Sequence, residues 1–181
     1  MKKQIASLLL CLLLICSCSA NTSVDAKFSG GGDDYLARIR LEQVLGTIDD
    51  KDKDGLKSIF SKQALDKSAD FESNANELFA FFQGKVKEVK KSSGPTVFDS
   101  KDKENVKKKI SAYYYVTTDK QKYFVLFDDY PADTAHPDNV GLYLLLVVRA
   151  EDEYKIWDGS QKILFDGKID IPRAGIYLPI K

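Results

Sequence analysis

The hydrophobic periodicity of the chain changes once, near Gly84, and this change restricts the fold more than any other feature. Before Gly84, apolar residues recur every three or four positions, which is the spacing of an amphipathic helix. After Gly84, β-prone residues alternate with polar ones, as they do in half-buried strands. Helices followed by strands in hairpin succession are typical of an α+β protein with an antiparallel sheet. We therefore expect N-terminal helices packed on one face of a curved antiparallel sheet.

The helical half predicts one long helix and several short ones. The long helix covers residues 34–49, and a short second helix contains Leu56 and its apolar neighbours. Residues 61–70 form a turn or a short helix. Ser73 caps a further helix, and Gly84 ends it.

The second half predicts an antiparallel sheet with one long inter-strand loop. Strands are expected at residues 85–90, 110–118, 123–127 and 140–149, with a last strand beginning at 154–157. Residues 92–105 are rich in turn formers, and residues 128–139 are expected to be a loop. Pro179 limits the final segment to an edge of the sheet, because proline cannot donate to a strand ladder.

The first seventeen residues read as a signal peptide. Lys2 and Lys3 precede an apolar run over residues 5–15. That run is shorter than the roughly 20 residues that a membrane-spanning helix needs, and it suits the apolar region of a signal peptide.

The end of this leader resembles a bacterial lipobox. Cys18 has Ile15 three positions before it and Ser17 directly before it, whereas Cys16 and Cys11 fit the motif less well. The resemblance implies that Cys18 becomes the mature N-terminus and carries a diacylglycerol thioether. An ordinary secretory signal cut near Ala20, or an uncleaved anchor, stays open. Cleavage before Cys18 leaves one of the three cysteines, so no disulfide could form within the mature chain.

Residues 18–32 are expected to be a flexible tether, and residues 33–181 a single α+β domain. Gly, Ser, Asn and Thr dominate the tether, as in flexible linkers. The whole chain holds 27 basic and 27 acidic residues, and loss of Lys2 and Lys3 makes the mature form slightly negative. A nucleic-acid partner is not expected, since it would need a clustered basic excess. Acyl chains would supply the affinity for the membrane.

The domain resembles the nuclear-transport-factor-two-like (SnoaL-like) group and, more closely, an uncharacterised family of lipoproteins from Gram-positive bacteria. The resemblance implies a cone of helices wrapped by a bent sheet over residues 34–181, attached to the outer face of a bacterial membrane. It implies no particular activity. The residues that carry it are Ile48-Asp49-Asp50-Lys51-Asp52, Leu56-Lys57-Ser58-Ile59-Phe60, Asn139-Val140-Gly141-Leu142-Tyr143, Trp157 and Gly175-Ile176-Tyr177-Leu178-Pro179.

Six residues are candidates for contact with a ligand, because strand periodicity, a strand end or, for His136, the long loop over residues 128–139 places them at a cavity wall or rim. They are Tyr113, Tyr115, Asp128, His136, Tyr143 and Trp157. Packing within the sheet is the competing interpretation for the aromatic residues. For the loop with Asp128 and His136, a solvated acidic loop, a ligand lid and a metal site remain alternatives.

No cofactor or metal is expected. Residues 50–55 imitate the start of a calcium loop, but Ser61 stands where that loop needs a carboxylate. A polar turn between helices is the favoured interpretation. The sequence contains no Gly-x-Ser-x-Gly motif for a hydrolase and no phosphate-binding loop.

The first functional hypothesis is a non-catalytic module that binds a small ligand or an envelope protein, with a homodimer through the sheet face left open. The alternative is a small acid/base enzyme (an isomerase, dehydratase or hydrolase) that uses Tyr113, Tyr143, Asp128 and His136. Such an enzyme needs a buried carboxylate within reach of a tyrosine. A purely structural role is the third hypothesis.

Overall fold

The computed structural model describes residues 32–102, 104–157, 159, 163–165, 168–169 and 174–180. The predicted signal peptide over residues 1–17, the lipidation site Cys18 and the tether up to residue 31 lie outside the described residues.

Four α-helices precede the sheet in the described part of the chain, and this order confirms the helical half of the prediction. They are α1 (Gly32–Asp50), α2 (Lys53–Ile59), α3 (Lys62–Lys67) and α4 (Phe71–Phe81). Helix α1 buries Ala37, Leu41, Val44 and Ile48, which is the apolar stripe that the periodicity predicts.

Side-chain caps define where the three short helices begin. Asp52, Ser61 and Asp70 accept hydrogen bonds from the backbone N–H groups of Gly55, Ala64 and Ser73, respectively. The prediction that Ser73 caps the last helix was therefore wrong. Asp70 takes that position and begins α4 three residues earlier than expected.

Eight strands follow among the described residues, and six of them form one sheet. They are β1 (Val86–Lys91), β2 (Thr96–Asp102), β3 (Asn105–Thr118), β4 (Lys122–Asp133), β5 (Gly141–Arg149), β6 (Leu164–Phe165), β7 (Lys168–Ile169) and β8 (Gly175–Tyr177). The main sheet has the order β1-β3-β4-β5-β8, and β2 pairs with β3 on the same edge as β1. All pairings in it are antiparallel except the short parallel one between β5 and β8.

Three segments differ from the sequence-based expectation. The turn-rich stretch over residues 92–105 contains strand β2, which forms a hairpin with β3. The loop expected over residues 128–139 is shorter, because β4 continues to Asp133. The expected strand at residues 154–157 is instead the end of a 3₁₀ helix, Ala150–Ile156.

Two irregularities in strand pairing explain why β4 extends so far. The β3–β4 register shifts between Lys108 and Ile110, opposite Pro131, so the strand accommodates a residue that has no N–H to donate. The β4–β5 register shifts where Asp128 faces Leu144 and Asp129 faces Leu142, which makes Tyr143 the extra residue.

Both faces of the central strands are covered, so the apolar core has two layers. The helix-side layer includes Leu41, Leu56, Leu78, Tyr114, Phe127, Leu145 and Val147. The outer layer consists of Phe124, Leu126, Leu144, Leu146, Val148 and Ile156, with partly buried aromatic residues around it. The described chain is thus α+β, with helices on one face of a mostly antiparallel sheet that does not close into a barrel.

Candidate functional site

An open cleft of about 490 Å³ lies on the outer face of the sheet. One wall comes from the connection between β1 and β2, and the other from the 3₁₀ helix and the residues that follow it. Strands β3 and β4 supply the floor. The lining residues are Ser92, Ser93, Thr96, Tyr113, Phe124, Glu153, Trp157 and Gly159.

Aromatic rings form the floor and one wall of this cleft. Period-two alternation along β3 places Tyr113 and Tyr115 on the outer face, and Tyr115 is the register partner of Phe124 on β4. The Phe124 ring is 1% exposed. It lies 6.4 Å from the Trp157 ring at an interplanar angle of 68°. The buried Phe124 ring therefore contacts both Tyr115 and Trp157.

A hydroxyl and a carboxylate connect the floor to the 3₁₀ helix. The Tyr115 hydroxyl donates a hydrogen bond of 2.5 Å to Glu153 Oε2. This bond, assisted by partial burial, raises the pKa of Tyr115 above its ordinary value. Among the described lining residues, Glu153 is the one acidic side chain, and none of them is a lysine, arginine or histidine.

Tyr113 is also held as a neutral phenol. Burial and then the nearby charge of Asp128 raise the pKa of Tyr113, while a hydrogen bond with Thr96 acts in the opposite direction. At neutral pH the cleft therefore presents the neutral phenol of Tyr113 next to the carboxylate of Glu153.

Asp128 lies beside the cleft and does not line it. Its side chain is nearly buried, and each of its two oxygens has a partner. Lys109 Nζ lies 2.7 Å from Oδ2, and the Ser111 hydroxyl donates to Oδ1. Asp128, Lys109 and Ser111 therefore form a compact polar cluster on the outer face, beside Tyr113.

Two of the six predicted residues lie away from the cleft. Tyr143 packs edge-on against Tyr130, with 5.7 Å between the ring centroids. The His136 side chain is 70% exposed, and its Nδ1 lies 3.5 Å from Asp133 Oδ1. Among the predicted residues, Tyr113 and Trp157 line the cleft, Tyr115 reaches it through Glu153, and Asp128 adjoins it.

The sequence analysis missed Phe124, Glu153 and the hydroxyl wall of Ser92, Ser93 and Thr96. The position of Phe124 was available from the sequence, because alternation along the predicted strand sets it on the face opposite Tyr123. Glu153 carried no such signal. It reaches Tyr115 because residues 150–156 form a 3₁₀ helix, where a turn over residues 150–153 and a strand from Tyr154 were expected.

The segment that resembles a calcium loop has a structural role in this fold. Asp52 Oδ1 accepts the Gly55 N–H at 2.8 Å and so caps helix α2. Within the residues that the structure describes, no three His, Cys, Asp or Glu side chains group together as metal ligands would.

Two other cavities, of about 450 Å³ and 430 Å³, flank the end of helix α4. In the larger one, the Tyr123 hydroxyl accepts the Gln83 N–H at 2.7 Å. The same hydroxyl donates to the Phe81 carbonyl at 3.0 Å. Its hydrogen bonds therefore join the end of α4 to the sheet, and the cleft on the outer face remains the stronger candidate for a ligand site.

Comparison with known proteins identifies one family and no characterised relative. Residues 43–150 match the model of a family described as a domain of unknown function. The match extends from within α1 through β5 and ends before Glu153 and Trp157. No curated protein matches the chain. None of the helices in the described residues combines the length and the apolar character needed to cross a bilayer.

Proposed function

This chain belongs to the family of the domain of unknown function DUF5104, and we propose that it is a non-catalytic module that binds a small molecule outside a bacterial membrane. In this proposal a lipid on Cys18 anchors the chain, and the cleft on the outer face of the sheet is the ligand site.

The observation that carries the proposal is the aromatic cleft. Small-molecule sites are concave, mostly apolar, have a few polar groups and usually enclose about 300 to 1,000 Å³. The cleft encloses about 490 Å³ and combines three aromatic rings with hydroxyls and one carboxylate. Its floor belongs to the central strands, where Phe124 and its neighbours are buried, so the site is preformed.

Acid/base catalysis is the alternative, and the arrangement of the acidic residues favours it less. A general base must be able to reach a substrate proton. Both oxygens of Asp128 are instead engaged by Lys109 and Ser111. On the helix side, Tyr114 and Phe127 stack with 6.2 Å between ring centroids and occupy the interior between the helices and the sheet.

The finer parts of the proposal are supported by the sequence. The lipobox-like stretch that ends at Cys18 supports the lipid anchor, and the Gly-rich residues before α1 support a tether. The order of elements, with helices before a mostly antiparallel sheet, supports a nuclear-transport-factor-two-like cone. The resemblance to Gram-positive lipoproteins supports an extracytoplasmic location.

Trp157 makes the proposal directly testable, because it is the single tryptophan of the chain and it lines the cleft. The full chain, held in a polyoxyethylene detergent, would be titrated with small cations, carboxylates, sugars and neutral alcohols. We expect at least one class to change the Trp157 fluorescence in a saturable way. Tyr113→Ala should weaken that binding about tenfold or more, since a buried aromatic contact is lost.

Tyr154→Ala is the matched control. Tyr154 is an exposed aromatic residue on the 3₁₀ helix that also carries Glu153. It does not line the cleft. Its removal should leave the titration unchanged. The proposal fails if no class of compound changes the fluorescence. It also fails if binding seen by calorimetry is indifferent to Tyr113→Ala.

A further inference from the structure

We propose that the ligand of this cleft is a small organic cation that carries an N-methylated ammonium group. This inference rests on the proposed function, and it adds the chemical class of the ligand.

The charges around the cleft favour a cation. Among the described residues that line it, Tyr113, Phe124 and Trp157 lie together with Glu153, and none of those described residues is basic. The face of an aromatic ring carries negative electrostatic potential and attracts a cation placed over it. A carboxylate beside such rings adds attraction of the same sign. An anionic ligand would be repelled by the Glu153 carboxylate.

Glu153 is held in place but retains capacity to interact. Its Oε2 accepts the hydrogen bond from Tyr115, and the hydroxyl of Ser92 also lies within hydrogen-bonding reach of Tyr115. In the part of the chain that the structure describes, Tyr115 is the hydrogen-bond partner of this carboxylate. The cleft thus has an oriented acidic group without an ion pair among the described residues.

The rings on this face of the sheet already attract cations from the chain itself. Lys122 Nζ lies 4.4 Å from the centroid of the Tyr115 ring, and Lys107 Nζ lies 5.5 Å from that of Tyr130. Neither lysine lines the cleft. The partly exposed rings of Tyr113 and Trp157, which line the cleft, would offer the same attraction to a cation from solution.

The apolar floor favours an N-methylated head over a primary ammonium. A primary ammonium group has three N–H donors that need acceptors. The hydroxyls of Ser92, Ser93 and Thr96 lie on one wall, so a head group placed over the floor meets ring faces, which accept hydrogen bonds only weakly. An N-methylated ammonium group instead presents methyl groups. It gains from burial of its apolar surface and from the attraction of the rings at once.

The test compares choline with 3,3-dimethyl-1-butanol, which has the same shape but no charge. The full chain in a polyoxyethylene detergent would be titrated with each compound, with Trp157 fluorescence as the readout. We expect choline to bind about tenfold more tightly or better than the neutral compound. Added NaCl should weaken choline binding, because salt screens the attraction of Glu153.

Glu153→Gln separates the charge from the shape of the site. Glutamine can still accept the Tyr115 hydrogen bond, so the fold should be kept, and thermal unfolding would verify this. The variant should lose about tenfold in choline affinity and keep its affinity for the neutral compound. Tyr154→Ala should leave both affinities unchanged.

The outcomes separate this inference from the function on which it rests. If the neutral compound binds as tightly as choline, or if Glu153→Gln has no effect, the cation inference is overturned and the cleft remains a ligand site. The same holds if only sugars or carboxylates change the fluorescence. If no class of compound does so, both proposals are overturned.

Discussion

Consecutive aspartates on β4 serve opposite faces of the sheet. Asp128 points outward to Lys109, whereas Asp129 points to the helices, where Arg40 Nε donates a hydrogen bond of 2.8 Å to its Oδ1. Both carboxylates are nearly buried. Burial raises the pKa of Asp129, and the charge and hydrogen bond of Arg40 act in the opposite direction. Arg40 is therefore the group that makes a buried charge at Asp129 tolerable.

Arg40→Ala should destabilise the fold by about 3 kcal/mol at pH 7, since it leaves a buried carboxylate without its partner. The loss in the free energy of unfolding should be smaller near pH 5. Without Arg40 the pKa of Asp129 rises further above its unfolded value, so the folded state of the variant binds a proton more readily than the unfolded state. The stability of the variant then increases as the pH falls through the folded pKa. Urea unfolding at the two pH values measures this.

Arg38→Ala is the control for this prediction. Arg38 lies two residues before Arg40 on the same helix. It pairs with Glu42 on the exposed face of α1. Exposed pairs of this kind contribute less than about 0.5 kcal/mol. If Arg40→Ala lowers the free energy of unfolding as little as Arg38→Ala does, or by the same amount at both pH values, the role given to Asp129 is contradicted.

At the scale of elements, one glycine allows the helical segment to approach the sheet. Phe60, which follows α2, forms a parallel bridge to Leu142. The Ser61 N–H donates a hydrogen bond of 2.8 Å to the Leu142 carbonyl. Gly141, at the start of β5, has φ +124°, and a Cβ there would lie 2.9 Å from the Ser61 backbone nitrogen. A side chain at this position would meet backbone that has little freedom to move.

Gly141→Ala should therefore cost about 2 kcal/mol or more, from strain at a positive φ and from the close backbone contact. Gly46→Ala is the matched control. Gly46 is an exposed residue inside helix α1, and a Cβ there would meet no atom within 4 Å. This change should stabilise the protein by about 0.5 to 1 kcal/mol, because alanine favours helix. Chemical denaturation of both variants would show the opposite signs, and a neutral Gly141→Ala would disprove the steric argument.

At the scale of the whole molecule, the proposed anchor determines where the cleft works. A chain held by acyl chains on Cys18 stays at the membrane, whereas the same chain without them is released. Stable attachment takes two or more acyl chains, since a single one binds only marginally. The domain would then sample ligands close to the membrane surface.

Cys18→Ser should abolish lipidation and move the chain from the membrane fraction to the soluble fraction of cells. Mass spectrometry of the unchanged protein should find a mature N-terminus at Cys18 with the mass of a diacylglycerol added. Cys16→Ser is the control, because Cys16 would leave with the signal peptide, and it should change neither result. An unmodified terminus beyond Cys18, or release by Cys16→Ser, would refute the assignment of the anchor.

The sequence by itself determined the order and type of the main elements. The spacing of Ala37, Leu41, Val44 and Ile48 predicts α1, and the alternation around Tyr113 and Tyr115 predicts β3 and its outward-facing residues. These signals are local: each depends on which face of one helix or strand is apolar. The same local rule would have set Phe124 beside Tyr115.

Only the tertiary structure decided how distant segments meet. Strand β2 exists because β3 is long enough to pair with it, and β8 adds to β5 in parallel from a distant part of the chain. A register shift makes Tyr143 an extra residue of β5, and the 3₁₀ helix brings Glu153 to Tyr115. Such contacts depend on which chain segments compete for the same edge or face, and no local spacing encodes that competition. The cleft, which Glu153 helps to line, is therefore a product of the fold.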